Sequence, residues 1–423
     1  MSAPPLAEGV GLPWDVAVDD AVAEIARARA TYGDTFLVES GRDHYLFTFS
    51  PTGVESFYAL PEEVASKGVA DYLMLRRKLP DEIFDGRRTM PHLLFRKGDV
   101  VHYLASLEEA LRVTREDLGD AGQLDVFELM RTLGHRFGLA SWAGPGCAEG
   151  DRFDRLAAAF DVLDGSDAFV HPDAMAAVAA SGKAAERAAL DEVTEIIGAT
   201  VDLPGQTGLF PRIVEAWADE PDDERRRRGI AHDVALVHIA SMSNLAAALG
   251  WAMVDLLEHP EALARVRAGD REFTERCALE TTRLAQRSIM ARHVLTPVSF
   301  DTGDGTYELP AGSTVATLLP LLNTSASPGL DTWDPDRWRR HRLADPTDLA
   351  SPQLVTAFGH GRHTCPAQPF SLAAMSMAVT DLFGRFDFSA QWSGRPQPVP
   401  AQIGGVARAS SPCLTWYRRR GDA

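Results

Sequence analysis

The chain has 423 residues, 45% of them hydrophobic and 24% charged, and carries a net charge of −18. This is a globular composition, long enough to bury a large core. The acidic balance excludes nucleic acid as a partner, because phosphate binding needs a basic face.

Residues 1–20 contain Pro4, Pro5, Glu8, Pro13, Asp15, Asp19 and Asp20. They form neither a signal-peptide core nor an apolar run long enough to span a bilayer, so no membrane association is expected. No Pro/Gly/Ser-rich linker, repeat or low-complexity tract divides the chain. An N-terminal segment, 1–34, and one large, mainly helical domain, 35–423, are expected. Cys147, Cys277, Cys365 and Cys413 lie far apart and outline no disulfide framework. A reducing, cytoplasmic setting fits them.

Pro91 to Arg96 contains His-x-x-x-Arg, with His92 and Arg96 at its ends. Ala105 to Ala143 reads as two helices, broken at Gly119-Asp120-Ala121-Gly122 and restarted by Asp125 as a cap. Arg225 to Arg228 follow Asp222, Asp223 and Glu224 and read as a solvated connection between helices. Ile230 to Glu258 is apolar and Ala-rich, a helix of about 40 Å. Apolar on most faces, it is expected to be buried. His259 to Gln286 is strongly helical, with Glu280 and Arg283 on one face at i, i+3 spacing. Ser288 to Arg292 begins a β segment, and Asp334-Pro335-Asp336-Arg337-Trp338 comes later.

The most informative stretch is Phe358-Gly359-His360-Gly361-Arg362-His363-Thr364-Cys365-Pro366-Ala367, with a helix-like run from Phe370 to Phe383 after it. A thiolate in such a loop can be the single axial ligand of a heme iron, where cysteinate favours O–O cleavage. The glycines permit close backbone approach, and peptide N–H groups at the start of the next helix can stabilise the sulfur. The alternatives are a buried structural cysteine or a metal clip from His360, His363 and Cys365. A structural zinc site normally needs four Cys or His ligands, and no CxxC or HxxxH partner is near.

The loop resembles the heme-binding segment of the cytochrome P450 family, Phe-x-x-Gly-x-(Arg/His)-x-Cys-x-Gly. Phe358, Gly361, His363 and Cys365 match, and Ala367 stands where Gly is usual. The resemblance runs from about residue 35 to 415 and implies a mainly α fold with small β-sheets holding heme b. It implies Cys365 as the iron ligand. It places His92, Arg96, Arg292 and His363 around the two heme propionates, which suit forked, charge-assisted bonds. It implies a buried structural triad of Glu280, Arg283 and Arg337, the last in the element similar to Pro-Glu-Arg-Phe. Ala105 to Ala143 resembles the matching stretch of bacterial sterol demethylases, a likeness of scaffold only.

The long helix departs from the family. Where Ala/Gly-Gly-x-(Asp/Glu)-Thr-Thr is usual, the chain has Ala240-Ser241-Met242-Ser243-Asn244-Leu245. Ser243 replaces the acid and Asn244 the alcohol, so the catalytic positions hold no proton source near pH 7. The stretch resembles prostacyclin synthases and cholesterol 7α-hydroxylases, and allene oxide synthases also have Asn here. The two kinds of synthase rearrange substrates that contain an O–O bond, whereas the hydroxylases use O2 and a reductase. Rearrangement or group transfer from a substrate O–O or N–O bond, conventional O2-dependent hydroxylation, and a non-catalytic heme sensor all remain open.

By position in the family, Tyr72, Met74, His238, Met242, Met290 and Ala291 would line the substrate pocket, as would Phe169, Leu209 and Phe210. Such a lining suits a medium-sized hydrophobic molecule, and the Ala/Arg/Gly/Asp-rich composition suits bacterial specialised metabolism. A monooxygenase would need a ferredoxin and its reductase, since neither is fused here. A monomer is expected.

Overall fold

The computed structural model describes residues 3–89 and 94–421. About half the chain is helical, with small sheets. The helices that build the site are α1 (Lys67–Leu75), α2 (Val100–Leu118), α3 (Val126–Trp142), α4 (Gly150–Asp164), α5 (Asp223–Glu258), α6 (Pro260–Arg267), α7 (Arg271–Ala285), α8 (Leu319–Ser325) and α9 (Gln368–Arg385).

The long apolar run is α5, 36 residues, with 78% of its most apolar window buried inside the protein. It starts earlier than expected. Asp222 caps it by accepting from the Arg225 N–H, so the arginine run forms its first turns and not a connection. There Arg226 and Arg227 pair with Asp223, one turn back on the same face. The helix expected over 259–286 is two helices, α6 and α7. Gly269, at φ +82°, ends the first, and Asp270 caps the second through the Phe273 N–H.

The expected break between α2 and α3 is a strand, β4 (Ala121–Asp125), and Asp125 caps α3 through the Phe127 and Glu128 N–H groups. Glycine governs how closely α3 meets α5. A Cβ on Gly138 would lie 2.6 Å from Met242 Cγ and 2.9 Å from the His238 ring, and one on Gly134 3.0 Å from Ala246 Cβ. One core cluster runs through α2, α3, α5, α7 and α9.

The main sheet has the order β1 (Thr35–Ser40), β2 (Asp43–Thr48), β6 (Thr314–Leu318), β5 (Ile289–Val294), β3 (Ala65–Ser66). Within it β2 and β6 pair in parallel and the other neighbouring strands pair antiparallel. Residues ahead of β1 are part of this body: Leu12, Trp14, Ala21 and Ile25 pack with Phe36 and Phe47 in a second core cluster. Two-residue alternation along β5 buries Met290 and Arg292 on one face and leaves Ala291 on the other, half-buried.

Candidate functional site

The Cys365 loop is closed by its own backbone. The Cys365 N–H donates to the Phe358 carbonyl at 2.7 Å, and the Gln368 N–H to the Cys365 carbonyl at 3.1 Å. Gly359, at φ +80°, is the constrained glycine, because a Cβ there would sit 2.5 Å from the His363 carbonyl oxygen. Gly361, at φ +57°, opens the short turn Gly361–His363 and meets nothing within 4 Å. The sulfur lies at the N-terminal end of α9, near the Ala367 and Gln368 N–H groups. Burial nevertheless pushes the thiol pKa up, against those groups and the charge of Lys67. A metal ion at the sulfur would reverse that balance and deprotonate it.

Behind the loop runs a continuous polar scaffold. Glu280 and Arg283, both fully buried, pair through two bonds of 2.7 and 2.8 Å. Arg337 Nε reaches the same carboxylate at 3.1 Å, and it also accepts from Trp338 Nε1 at 2.8 Å and the Asp334 N–H at 3.1 Å. The structure therefore brings together all three residues of the expected triad. Arg283 donates to the Asn323 carbonyl, Asn323 Nδ2 returns a bond to the Arg283 carbonyl, and the Asn323 amide also grips Thr356. Thr356 Oγ1 donates to the Gly359 carbonyl at 3.1 Å. Asn323 and Thr356 carry no sequence signal, since neither belongs to a spaced motif.

Over the sulfur opens a cavity of about 460 Å³. Phe358, Gly359, His363 and Cys365 line it from the loop, Met290 from β5, and Val237, Ala240, Ser241, Met242, Asn244 and Leu245 from α5. Lys67, Arg87 and Arg362 also line it, and no carboxylate does among the described residues. Arg292 Nη1 donates to His363 Nε2 at 2.5 Å, and its remaining donors go to the carbonyls of Phe57 and Ala65 and to Glu62. Burial and the Arg292 charge both lower the His363 pKa, which keeps the ring a neutral acceptor.

Other expected positions lie elsewhere. Arg96 is exposed and lines a separate surface hollow with Thr89, Leu94 and Arg212, and His92 lies outside the described residues. Arg96 precedes the short turn Lys97–Asp99 and the helix that begins at Val100. His238 is buried between α3 and α5 and is not in the cavity lining. Its Nδ1 accepts from Trp142 Nε1 at 3.4 Å, its Nε2 lies 2.9 Å from His135 Nδ1, and His135 Nε2 lies 3.0 Å from Asp161. Because indole only donates, the chain of donation runs Trp142, His238, His135, Asp161. Tyr72, 37% exposed, packs edge-on against Phe84, while Met74, Phe169, Leu209 and Phe210 lie in core packing. Ala291 is on the far side of β5 from Met290. Of the nine residues placed in the pocket by position, Met242 and Met290 line it.

The two distal positions diverge. Asn244 lines the cavity, but its amide is engaged: Oδ1 accepts from the Val406 N–H at 2.8 Å, and Nδ2 donates to the Ala240 carbonyl at 3.5 Å. Ser243, one residue and about 100° away around the helix, lies beside Asp164 at the end of α4. Burial pushes Asp164 up to about 7, against the opposing charges of Arg408, Lys78 and Arg131. Lys78 Nζ holds that helix end by donating to the carbonyls of Val162, Leu163 and Gly165.

A single half-buried sulfur at the floor of a large cavity, facing the N–H groups at the start of a helix, is the decisive arrangement. The metal-clip alternative loses both imidazoles, since His360 Nε2 is 3.1 Å from the Val355 carbonyl and His363 is bound by Arg292. Among the described residues no three His, Cys, Asp or Glu side chains gather to hold an ion. The family model described as Cytochrome P450 matches residues 213–415. Residues 213–415, which carry the Cys365 loop, thus match the cytochrome P450 family. The chain is 32% identical over 209 residues to cytochrome P450 105C1 of a Streptomyces species, covering 46% of this chain and 49% of that one. It is 28% identical over 203 residues to cytochrome P450-SOY of Streptomyces griseus, covering 47% and 44%. It is 24% identical over 236 residues to the human 24-hydroxycholesterol 7-alpha-hydroxylase, covering 49% and 48%. The chain thus spans just under half the length of these relatives.

Proteins of this family bind heme b, and the residues here fit it. Cys365 offers one sulfur and no competing ligand. The cations Lys67 and Arg362 at the rim, with Arg292 behind the neutral His363, offer the partners that two carboxylates need, and the lining holds no carboxylate among the described residues to oppose them.

Proposed function

We propose that this P450 is a heme-thiolate enzyme that rearranges or transfers a group within a small hydrophobic substrate bringing its own O–O or N–O bond. Heme bound at Cys365 would supply the redox-active iron for breaking that bond. The protein's part is to hold the heme by sulfur and cations, to enclose the substrate against an apolar lining, and to keep solvent protons away. The observation that carries this reading is the state of Asn244. It occupies the cavity wall with both amide atoms committed to the backbone, and no carboxylate lines the cavity among the described residues. A chamber without an acid suits chemistry that needs no protons from solvent.

A second reading has its own support. Ser243 lies beside Asp164, and an acid raised to about 7 is a proton donor near neutrality. Acid and hydroxyl then stand together one residue behind Asn244, split between α4 and α5. That pair would serve a conventional O2-dependent monooxygenase fed by a ferredoxin and its reductase. The oxidative activity named in the human relative agrees with this reading.

Turnover of candidate substrates with and without O2 and reductant separates the two. The first reading expects product from the resting ferric enzyme under anaerobic conditions. Product formed only in step with O2 and NADPH consumption, with a ferredoxin and reductase present, would establish the monooxygenase instead.

A further inference from the structure

Arg87 and Arg88 are neighbours in the loop that leads to Thr89, and their side chains have different fates. Arg88 pairs with Asp219 and Glu220, and its guanidinium lies 4.3 Å over the Trp217 ring. Arg87 lines the Cys365 cavity. Its Nε donates to the Thr89 carbonyl at 3.1 Å, and among the described residues it forms no ion pair.

The loop is fixed from α5. Asp233 Oδ2 accepts from Thr89 N–H at 2.9 Å, Thr89 Oγ1 at 2.6 Å, Trp217 Nε1 at 2.9 Å and Arg88 N–H at 3.3 Å. The charge acting on Arg87 comes from this same carboxylate, which is already shared among four donors. The cavity lining therefore includes an exposed cation, carried on a fixed loop, that forms no ion pair among the described residues.

We propose that Arg87 binds a carboxylate of the substrate, so that the guest is an amphipathic organic acid with its apolar body against Phe95, Met242, Leu245 and Met290. A guanidinium offers two parallel N–H donors to a carboxylate, a geometry that fixes the acid's orientation at this exposed side chain. The inference rests on the reading of this cavity as the substrate chamber, and it holds for either reaction type.

The test is equilibrium binding to the heme-loaded protein, followed by the heme absorption shift and by calorimetry. The probes are dodecanoic acid, its methyl ester and the matching alcohol. The acid is expected to bind about tenfold or more tightly than the ester. Arg87→Gln should erase that preference with ester affinity and heme content unchanged, and Arg87→Lys should restore part of it. Arg88→Gln, whose partners lie outside the cavity, should leave the preference intact. Equal binding of acid and ester by the wild type would overturn the proposal. So would loss of heme in Arg87→Gln, which would assign Arg87 to the cofactor's carboxylates. If none of the probes bound, the chamber reading itself would fail, and the proposal with it.

Discussion

Asn323 and Thr356 are joined by two reciprocal bonds: Asn323 Nδ2 donates to the Thr356 carbonyl, and the Thr356 N–H donates to Asn323 Oδ1, each at 2.9 Å. This pair links the buried Glu280–Arg283 ion pair on α7 to the loop that presents Cys365. Position of the sulfur is therefore set from behind, through side chain to backbone bonds in a site closed to water. Asn323→Ala would strand the Thr356 N–H and carbonyl and the Arg283 carbonyl, and should cost roughly 2–4 kcal/mol. Urea unfolding measures that loss. Heme should also dissociate faster from the variant, because Thr356 holds both Gly359 and Phe358.

Glu280 is the more severe position. Its carboxylate receives Arg283, Arg337, Trp338 Nε1 and the Asp334 N–H with no exposure of its own. Glu280→Ala leaves a buried guanidinium without a counter-charge and should cost about 3–5 kcal/mol. Soluble yield and the denaturation midpoint should both fall. Glu280→Gln should be milder in packing and nearly as costly in charge.

Much of this frame can be read in the sequence because it lies in local patterns. The Cys365 loop has a fixed spacing, and Glu280 and Arg283 share a helix face. Arg292 falls on the buried side of a strand by two-residue alternation. The parts that escape the sequence depend on tertiary direction. The α5 sequence is apolar all round, so its periodicity does not say which residues face the cavity. Position in the family points His238 there, whereas the ring turns toward His135. Asp164 is an ordinary acid at a helix end until α4 packs beside Ser243. Asn323, Thr356 and Arg87 belong to no motif. The break at Gly269 is hidden because the helical pattern resumes directly after it.

Asp164 gives a dependence on pH. Burial raises its pKa from 3.8 to about 7, so the folded protein binds this proton more tightly than the unfolded chain does. Stability from this group is fully present below about pH 4 and is lost as pH rises through about 7. Asp164→Asn removes the loss, so its urea midpoint relative to wild type should improve between about pH 5 and pH 8. A parallel pH profile for the two proteins would contradict the placement of Asp164.

The family's acid and alcohol cannot be restored at 243 and 244 as a neutral exchange. Ser243→Asp would set a second carboxylate against Asp164 and should destabilise the protein near neutral pH, where two like charges share one site. Asn244→Thr should cost about 1 kcal/mol through the lost Val406 bond. With Ser243 kept, that single change is the cleaner test of the reaction. Asn244→Thr should gain reductant-dependent O2 consumption, measured with an oxygen electrode, while native product falls or stays level.

The most direct test of the whole account is the absorption spectrum of the reduced protein with carbon monoxide, in the wild type and in Cys365→Ser. A thiolate from Cys365 predicts the long-wavelength band specific to cysteinate-bound heme in the wild type and its loss in the variant. An unchanged spectrum in Cys365→Ser, or a wild type that takes up no heme, would contradict it.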